Sequence, residues 1–171
     1  DLEGWDFVTT ERFVVLYSHD GGSKQKKAAK IAAEMAGTLA PLRAKFEADW
    51  PPADGQDLGY PVLRVCHKRD IYSAFGASGE PVGRYVPESG EVVVFNDKGG
   101  EVADKNAVRQ TMIAAAWQQY AAAYWPGTEF QRWWMYGTSD YYAQYEPKGR
   151  KLKLKAISNP YVYFATDDSR F

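Results

Sequence analysis

Residues 111–120, TMIAAAWQQY, decide how this chain is read. Ile113, Trp117 and Tyr120 recur at helical spacing, and Tyr124 extends the stripe by a turn, which predicts a helix with one buried face. Ala114, Ala115 and Ala116 run through its middle. Alanine is the best helix former and lets neighbours approach closely, so the helix alone gives these residues no special meaning. Their meaning depends on what flanks them.

Downstream, "WPG" ends the helix, and a second helix is expected over 129–145. Trp133, Trp134, Tyr136, Tyr141 and Tyr142 cannot all face one side of it, so some must meet a cleft, a partner or solvent. Upstream, "VGRYVPESGEVVVFND" reads as a hairpin, with strands over 83–86 and 91–96 joined by Pro87-Glu88-Ser89-Gly90. Residues 97–105, DKGGEVADK, form a loop by composition, and the helix that contains residues 111–120 is expected over about 103–124. "RDIYSAFG" predicts a short helix, preceded by a strand over 60–68. "RFVVLYS" (12–18) predicts another strand, broken by "HDGG". A long helix follows, capped by Ser23 and running to about Trp50. It carries Ile31, Met35, Leu39, Leu42 and Phe46 on one face. Pro41 is expected to kink it or divide it near Gly37. After the second aromatic helix, "PKGRKLKLKAIS" predicts a return to strand. The order argues an α+β domain, with helices against one face of a mixed sheet, and nothing divides 1–171 into more than one domain.

Composition sets further bounds. A length of 171 residues buries a real core, and a formal net charge of -1 gives no pull toward nucleic acid or anionic membrane. No apolar run reaches membrane-spanning length. The single cysteine, Cys66, excludes an internal disulfide and reads as a buried small hydrophobe. The opening "DLEGWDF" has no apolar signal region, so the chain reads as a mature form or as a domain excised from a longer one. Aromatics reach 15% and concentrate between Trp117 and Phe164, which implies a thick aromatic core or an aromatic-lined cleft. The run Lys148, Arg150, Lys151, Lys153, Lys155 alternates with Leu152 and Leu154, as in a half-buried strand with a solvated basic face.

Only two histidines are present, His19 in a loop and His67 at a strand end, and both read as rim residues. Cys66 and His67 are adjacent on a strand and so project to opposite faces, which rules out a nucleophile–base pair. No Ser-His-Asp spacing, nucleophile elbow, P-loop or dinucleotide fingerprint is apparent.

From Trp5 to Pro160 the order of elements and four local patterns resemble one family, the peptidase-MA-like gluzincins, mostly exported bacterial relatives of zinc metallopeptidases. "FVVLYS" with its long helix resembles the family's opening, and "PVLRVCHKRDIYSAFG" its strand and Tyr-x-x-Phe helix. "VGRYVPESGEVVVFND" is similar to its hairpin, and "RWWMYGTSDYYAQYE" to its Trp-x-x-Glu-Gly-x-Ala-x-Tyr helix. The resemblance implies a zincin-like mixed sheet, a long N-terminal helix and two consecutive helices that once carried an active site.

In that family two histidines of His-Glu-x-x-His lie one turn apart and bind one zinc. The intervening glutamate is the general base, and a glutamate on the next helix is the third ligand. The resemblance places Ala114 and Gln118 at the histidines, Ala115 at the base and Tyr136 at the third ligand, while Trp133 and Gly137 keep the pattern. Alanine offers no donor atom, an amide is a poor zinc ligand, and a neutral phenol is weak. The expectation is therefore no zinc, no other cofactor and no catalysis: a pseudopeptidase that acts as a binding or structural module.

Its expected partner is a peptide or protein. The resemblance implies an extended peptide held along strand 91–96 by main-chain hydrogen bonds. The candidate binding residues are Glu91, Val92, Val93, Val94, Phe95, Trp117, Gln118, Tyr136 and Asp140. Tyr136 is expected to fill the vacated metal pocket and hydrogen-bond Gln118. The resemblance also implies an exported location. Two other readings stand beside this one. The first is an assembly module that uses its aromatic surface. The second is an enzyme with a repurposed site around Tyr136, Gln118 or Asp140, for which no convincing base or nucleophile remains.

Overall fold

The computed structural model describes residues 4–77, 82–96, 105–148 and 151–154. The elements are β1 (Trp5–Thr9), β2 (Val14–Ser18), α1 (Ser23–Asp49), β3 (Val62–Cys66), α2 (Arg69–Tyr72) with a π-helical turn over Ser73–Ala77, β4 (Gly83–Val86), β5 (Glu91–Phe95), α3 (Lys105–Tyr124), α4 (Arg132–Ala143), β6 (Tyr145–Lys148) and β7 (Lys151–Leu154). The expected loop lies mostly, and Arg150 and Lys155 of the basic run lie wholly, outside the described residues.

Five strands form a mixed sheet in the order β1-β2-β3-β5-β4. β2, β3 and β5 run parallel; β1 and β4 close the two edges antiparallel. The class is α+β, as the element order predicts. β1 is the strand missed by sequence reasoning. Its residues, WDFVT, leave Phe7 62% exposed, so a half-solvated edge strand gives little apolar signal. β6 and β7 pair only with each other, Tyr145 opposite Leu154, so the basic stretch makes a separate hairpin.

α1 and α3 cover one face of the sheet, with α4 packed on α3, and the inward sheet residues are Val15, Tyr17, Leu63, Val65, Val92 and Val94. The opposite face, with Cys66, Val93 and Phe95, packs against Tyr72 and Phe75 of the α2 turn. Along α1 the buried face is Ala32, Ala36, Leu39, Leu42, Arg43 and Phe46. The two alanines let the helix approach the sheet, while Ile31 and Met35 stay half-buried. Each large apolar side chain buried here contributes about 1.5–3 kcal/mol.

Two expectations about α1 are corrected. Pro41 does not divide it: a single helix runs through Ser23–Asp49. A proline ring collides with the carbonyl four residues back and leaves it without its amide partner. The apolar face continues across Pro41 and holds both halves on the sheet. The N-cap is Gly22, at φ 58°, with no side-chain cap bond, so Ser23 begins the helix and does not cap it. Gly21 (φ 80°) and Gly22 together turn the chain from β2 into α1 in a conformation that side-chain-bearing residues avoid.

Candidate functional site

The aromatic residues that crowd the second half of the chain form a core that fixes α3 and α4. Phe46, Trp117 and Tyr142 meet edge to face or tilted at 4.6–5.3 Å between ring centroids. Trp134 stacks on Phe130 at 4.6 Å. Several polar tips in this core are paired. The indole N–H of Trp117 donates to Thr138 Oγ1 (2.7 Å), that of Trp50 donates to the Tyr142 hydroxyl (3.0 Å), and the Tyr142 hydroxyl donates to Asp49 (2.9 Å). Gln119 ties α3 to the sheet, donating to the carbonyls of Val62 (3.1 Å) and Gly90 (2.7 Å).

Once Ile113, Trp117 and Tyr120 are turned inward, Ala114 and Gln118 are turned to the other side. They line a cavity of about 490 Å³ bounded by α3, α4 and β4. Ala115, Tyr136 and Asp140 line it too, so five of the residues singled out from sequence come together at one place. The alanines and Gly83 give it a floor without side-chain bulk. Gln110, Gln118 and Gln144 supply amides around it.

The strand beside this cavity is β4. Phe95 donates its amide to the Val82 carbonyl (2.8 Å). The antiparallel alternation then directs the main-chain groups of Gly83 and Tyr85 away from β5, toward the outer edge. Among the described residues the Tyr85 carbonyl receives only a long 3.4 Å contact, from the neighbouring Arg84 guanidinium. Gly83 has a structural reason to lack a side chain: a Cβ there would sit 3.3 Å from the Val93 carbonyl oxygen and 3.7 Å from the Thr111 methyl.

Three expectations are corrected by this geometry. Strand 91–96 is not the cleft strand: β5 pairs with β3 on one side and β4 on the other, so it has no free edge for a peptide. Val92, Val93, Val94 and Phe95 are at most 3% exposed, and Glu91 is held by two of the Arg64 guanidinium nitrogens at 2.6 and 2.7 Å. Trp117 is fully buried and belongs to the aromatic core, not to the cleft. Tyr136 is 60% exposed and makes no hydrogen bond to Gln118 among the described residues, so it rims the cavity without filling it.

Ser139 was not foreseen. It is 2% exposed, lines the cavity, and its hydroxyl has no hydrogen-bond partner among the described residues. The signal in the sequence is slight: Ser139 lies one turn beyond Met135 on the inward side of α4, beside Tyr142 and Ala143.

The residues present do not fit a zinc ion. Ala114 and Ala115 bring no donor, and Gln118 and Tyr136 bring an amide and a largely solvated phenol. Among the described residues no group of three His, Cys, Asp or Glu side chains converges anywhere.

A second polar cluster lies at the carboxyl ends of β2 and β3. His67 bridges Ser18 (Nδ1, 2.7 Å) and Asp20 (Nε2, 2.9 Å), an arrangement invisible in the spacing because it needs β2 and β3 to be parallel neighbours. Ser18 is 2% exposed and already accepts the His67 amide (3.0 Å), so it brackets two strand ends and is not an exposed nucleophile. Lys68, His67 and Lys24 together hold the Asp20 carboxyl well below the usual carboxylate range.

No helix among the described residues is long and apolar enough to cross a membrane. No protein-family model matches this chain. No curated protein matches it.

Proposed function

We propose that this domain is a zincin-like pseudopeptidase, without metal or peptidase activity, that binds an extended peptide along the outer edge of β4. The observation that carries the reading is that Ala114, Ala115, Gln118 and Tyr136, the positions singled out by the family resemblance, line one cavity although they lie on two helices. The sheet order and the two successive helices over it are consistent with such a fold. Gly83 and Tyr85 offer main-chain donors and acceptors for strand addition, and that mode of recognition needs no metal. Ser139 and the three glutamines give a bound segment hydrogen-bonding partners beyond its backbone. An exported location remains part of the proposal, carried by the family resemblance.

Metal analysis of protein purified without chelator, followed by binding of a fluorescent random-sequence decapeptide pool, tests this reading. The expected result is no stoichiometric zinc, no cleavage, and saturable peptide capture. Ala114→Trp, which fills the cavity, abolishes capture. Tyr85→Pro, which deletes an outward amide without touching the β4–β5 ladder, also abolishes it, while Tyr85→Ala retains most of it. One zinc per chain, or capture indifferent to Ala114→Trp and Tyr85→Pro alike, overturns the proposal.

A further inference from the structure

β2 and β3 lie side by side and parallel, yet the chain leaves them toward opposite faces of the sheet. From β2 it passes to α1, on the face of Val15 and Leu63; from β3 it passes to α2, on the face of Cys66 and Phe95. Neighbouring connections that part in this way leave a crevice at the carboxyl ends of the strands, and open sheets with parallel strands bind their ligands there. A cavity of about 230 Å³ lies at this place. Ala28, Ile31 and Val65 give it an apolar wall. Its polar groups include His19, Asp20, Lys24, Lys27, His67 and Asn96. They are arranged as donors. Asp20 is fully engaged: its Oδ1 accepts from His67 (2.9 Å) and Lys68 (2.6 Å), and its Oδ2 accepts from Lys24 (2.9 Å). His19 accepts the Gly21 amide on Nδ1 (3.0 Å), which leaves its ring proton on Nε2 as a donor.

We infer that this crevice binds a small organic phosphate, with Lys24, Lys27, His19 and Asn96 donating to its phosphoryl oxygens and its apolar body laid on Ala28, Ile31 and Val65. A pocket rich in donors calls for a ligand that only accepts, and a phosphoryl group offers three strong acceptor oxygens on one centre. Lys24 and Lys27 against Asp20 leave the lining with one positive charge in surplus. Lys68, at the rim, is opposed in turn by Asp70 and is not counted. Ammonium groups act as point charges and suit the concentrated charge of a phosphate. A carboxylate is better matched by the fork of a guanidinium, and no arginine lines the crevice among the described residues. The charge comes from side chains and not from the start of α1, where the amides of Lys24 and Gln25 are already given to the carbonyls of Gly21 and Gly22 (3.2 Å each). The bonds of His67 to Ser18 (2.7 Å) and Asp20 tie the ends of β2 and β3 together and set the width of the crevice in advance. The crevice shares no residue with the β4 cleft, so its test is separate from that of the proposed function.

The test is titration of the full chain with phenyl phosphate, phenol, benzoate and inorganic phosphate, read by calorimetry and by side-chain amide NMR, at about 0.15 M salt so that diffuse surface charge is screened. Phenyl phosphate is expected to bind saturably in the millimolar range or tighter and to shift the Asn96 side-chain amide resonances. Phenol lacks the phosphoryl group, benzoate lacks the third oxygen, and inorganic phosphate lacks the apolar body; each should bind at least about fivefold more weakly. Lys27 is exposed and makes no ion pair among the described residues, so Lys27→Gln disturbs no internal contact. It should weaken phenyl phosphate about tenfold, the worth of one charge-assisted hydrogen bond. Lys30→Gln, outside the crevice, should stay within about twofold of the parent. No saturable binding of phenyl phosphate overturns the inference, as does equal binding of phenol. Benzoate or inorganic phosphate binding as tightly as phenyl phosphate overturns the organic-phosphate assignment. An affinity unchanged in Lys27→Gln, or lowered equally in Lys27→Gln and Lys30→Gln, overturns the placement in this crevice.

Discussion

Trp117 on α3 donates its indole N–H to the hydroxyl of Thr138 on α4 across 2.7 Å. The same hydroxyl turns back to the Trp134 carbonyl at 2.8 Å. This bond sets the rotation of each helix about its axis. It therefore fixes which residues of α3 and α4 share the cavity: Ala114 and Gln118 from one, Tyr136 and Ser139 from the other.

Thr138→Val keeps the shape but leaves a buried indole N–H without an acceptor. It is expected to cost about 1–3 kcal/mol in urea unfolding. Thr138→Ser, which keeps the hydroxyl, should stay within about 1 kcal/mol of the parent. Equal losses in the two variants would show that the methyl group, and not the hydrogen bond, matters.

Pro41 sits inside a continuous helix and forfeits the amide that would answer the Gly37 carbonyl. Pro41→Ala restores that bond and removes the ring's collision. A gain of about 1–2 kcal/mol is expected, somewhat less than the full helix penalty because proline also restricts the unfolded chain. A higher midpoint in urea with an unchanged slope checks it; a lower midpoint refutes it.

Alkali should unfold the domain through groups buried in their neutral form. Burial pushes the Tyr120 phenol up to about 12 and the Cys66 thiol up to about 12. The folded state therefore holds the protons more tightly than the unfolded state. The stabilisation is whole below the ordinary values, about 10 for tyrosine and about 8.5 for cysteine, and is lost as pH rises toward the folded values. Circular dichroism and tyrosinate absorbance should change together between about pH 10 and 12, and Tyr120→Phe should move that transition upward. At neutral pH, Cys66 should react with a thiol reagent only after denaturant is added. Rapid labelling of native protein would contradict its burial.

The cavity offers a direct reconstruction. Ala114→His, Ala115→Glu, Gln118→His and Tyr136→Glu, made together, should create a site that retains one zinc per chain, measured by elemental analysis after dialysis. The parent should retain none. A folded quadruple variant that holds no zinc would show that the helices do not present these positions in the family's geometry.

Much of the fold was legible because its signals are local. The stripe of Ile113, Trp117 and Tyr120 marks α3 whatever it packs against, and Pro-Glu-Ser-Gly marks the β4–β5 turn. β1 escaped because it is short and exposes the apolar Phe7, so its sequence does not separate a buried face from a wet one. Of the two outcomes expected at Pro41, a kink or a division, the division does not occur, because the apolar face on both sides of Pro41 is held in the core. At the site, the family resemblance singled out Ala114, Ala115, Gln118 and Tyr136, helical register added Asp140 one turn on, and all five line one cavity. The sequence reading misjudged Trp117, whose ring turns to the core beside Phe46 and Tyr142.

By itself the amino-acid order determined the class, the element types and which helix positions stand in register with one another. These follow from periodicity and turn chemistry, which act over a few residues. Only the tertiary structure decided which strand of the hairpin is outermost. That depends on β3 pairing in parallel with β5, a contact between Val62–Cys66 and Glu91–Phe95 that no local pattern encodes. The same long-range pairing brought His67 to Ser18, and the seating of α1 on the sheet buried Arg43 beside Glu47.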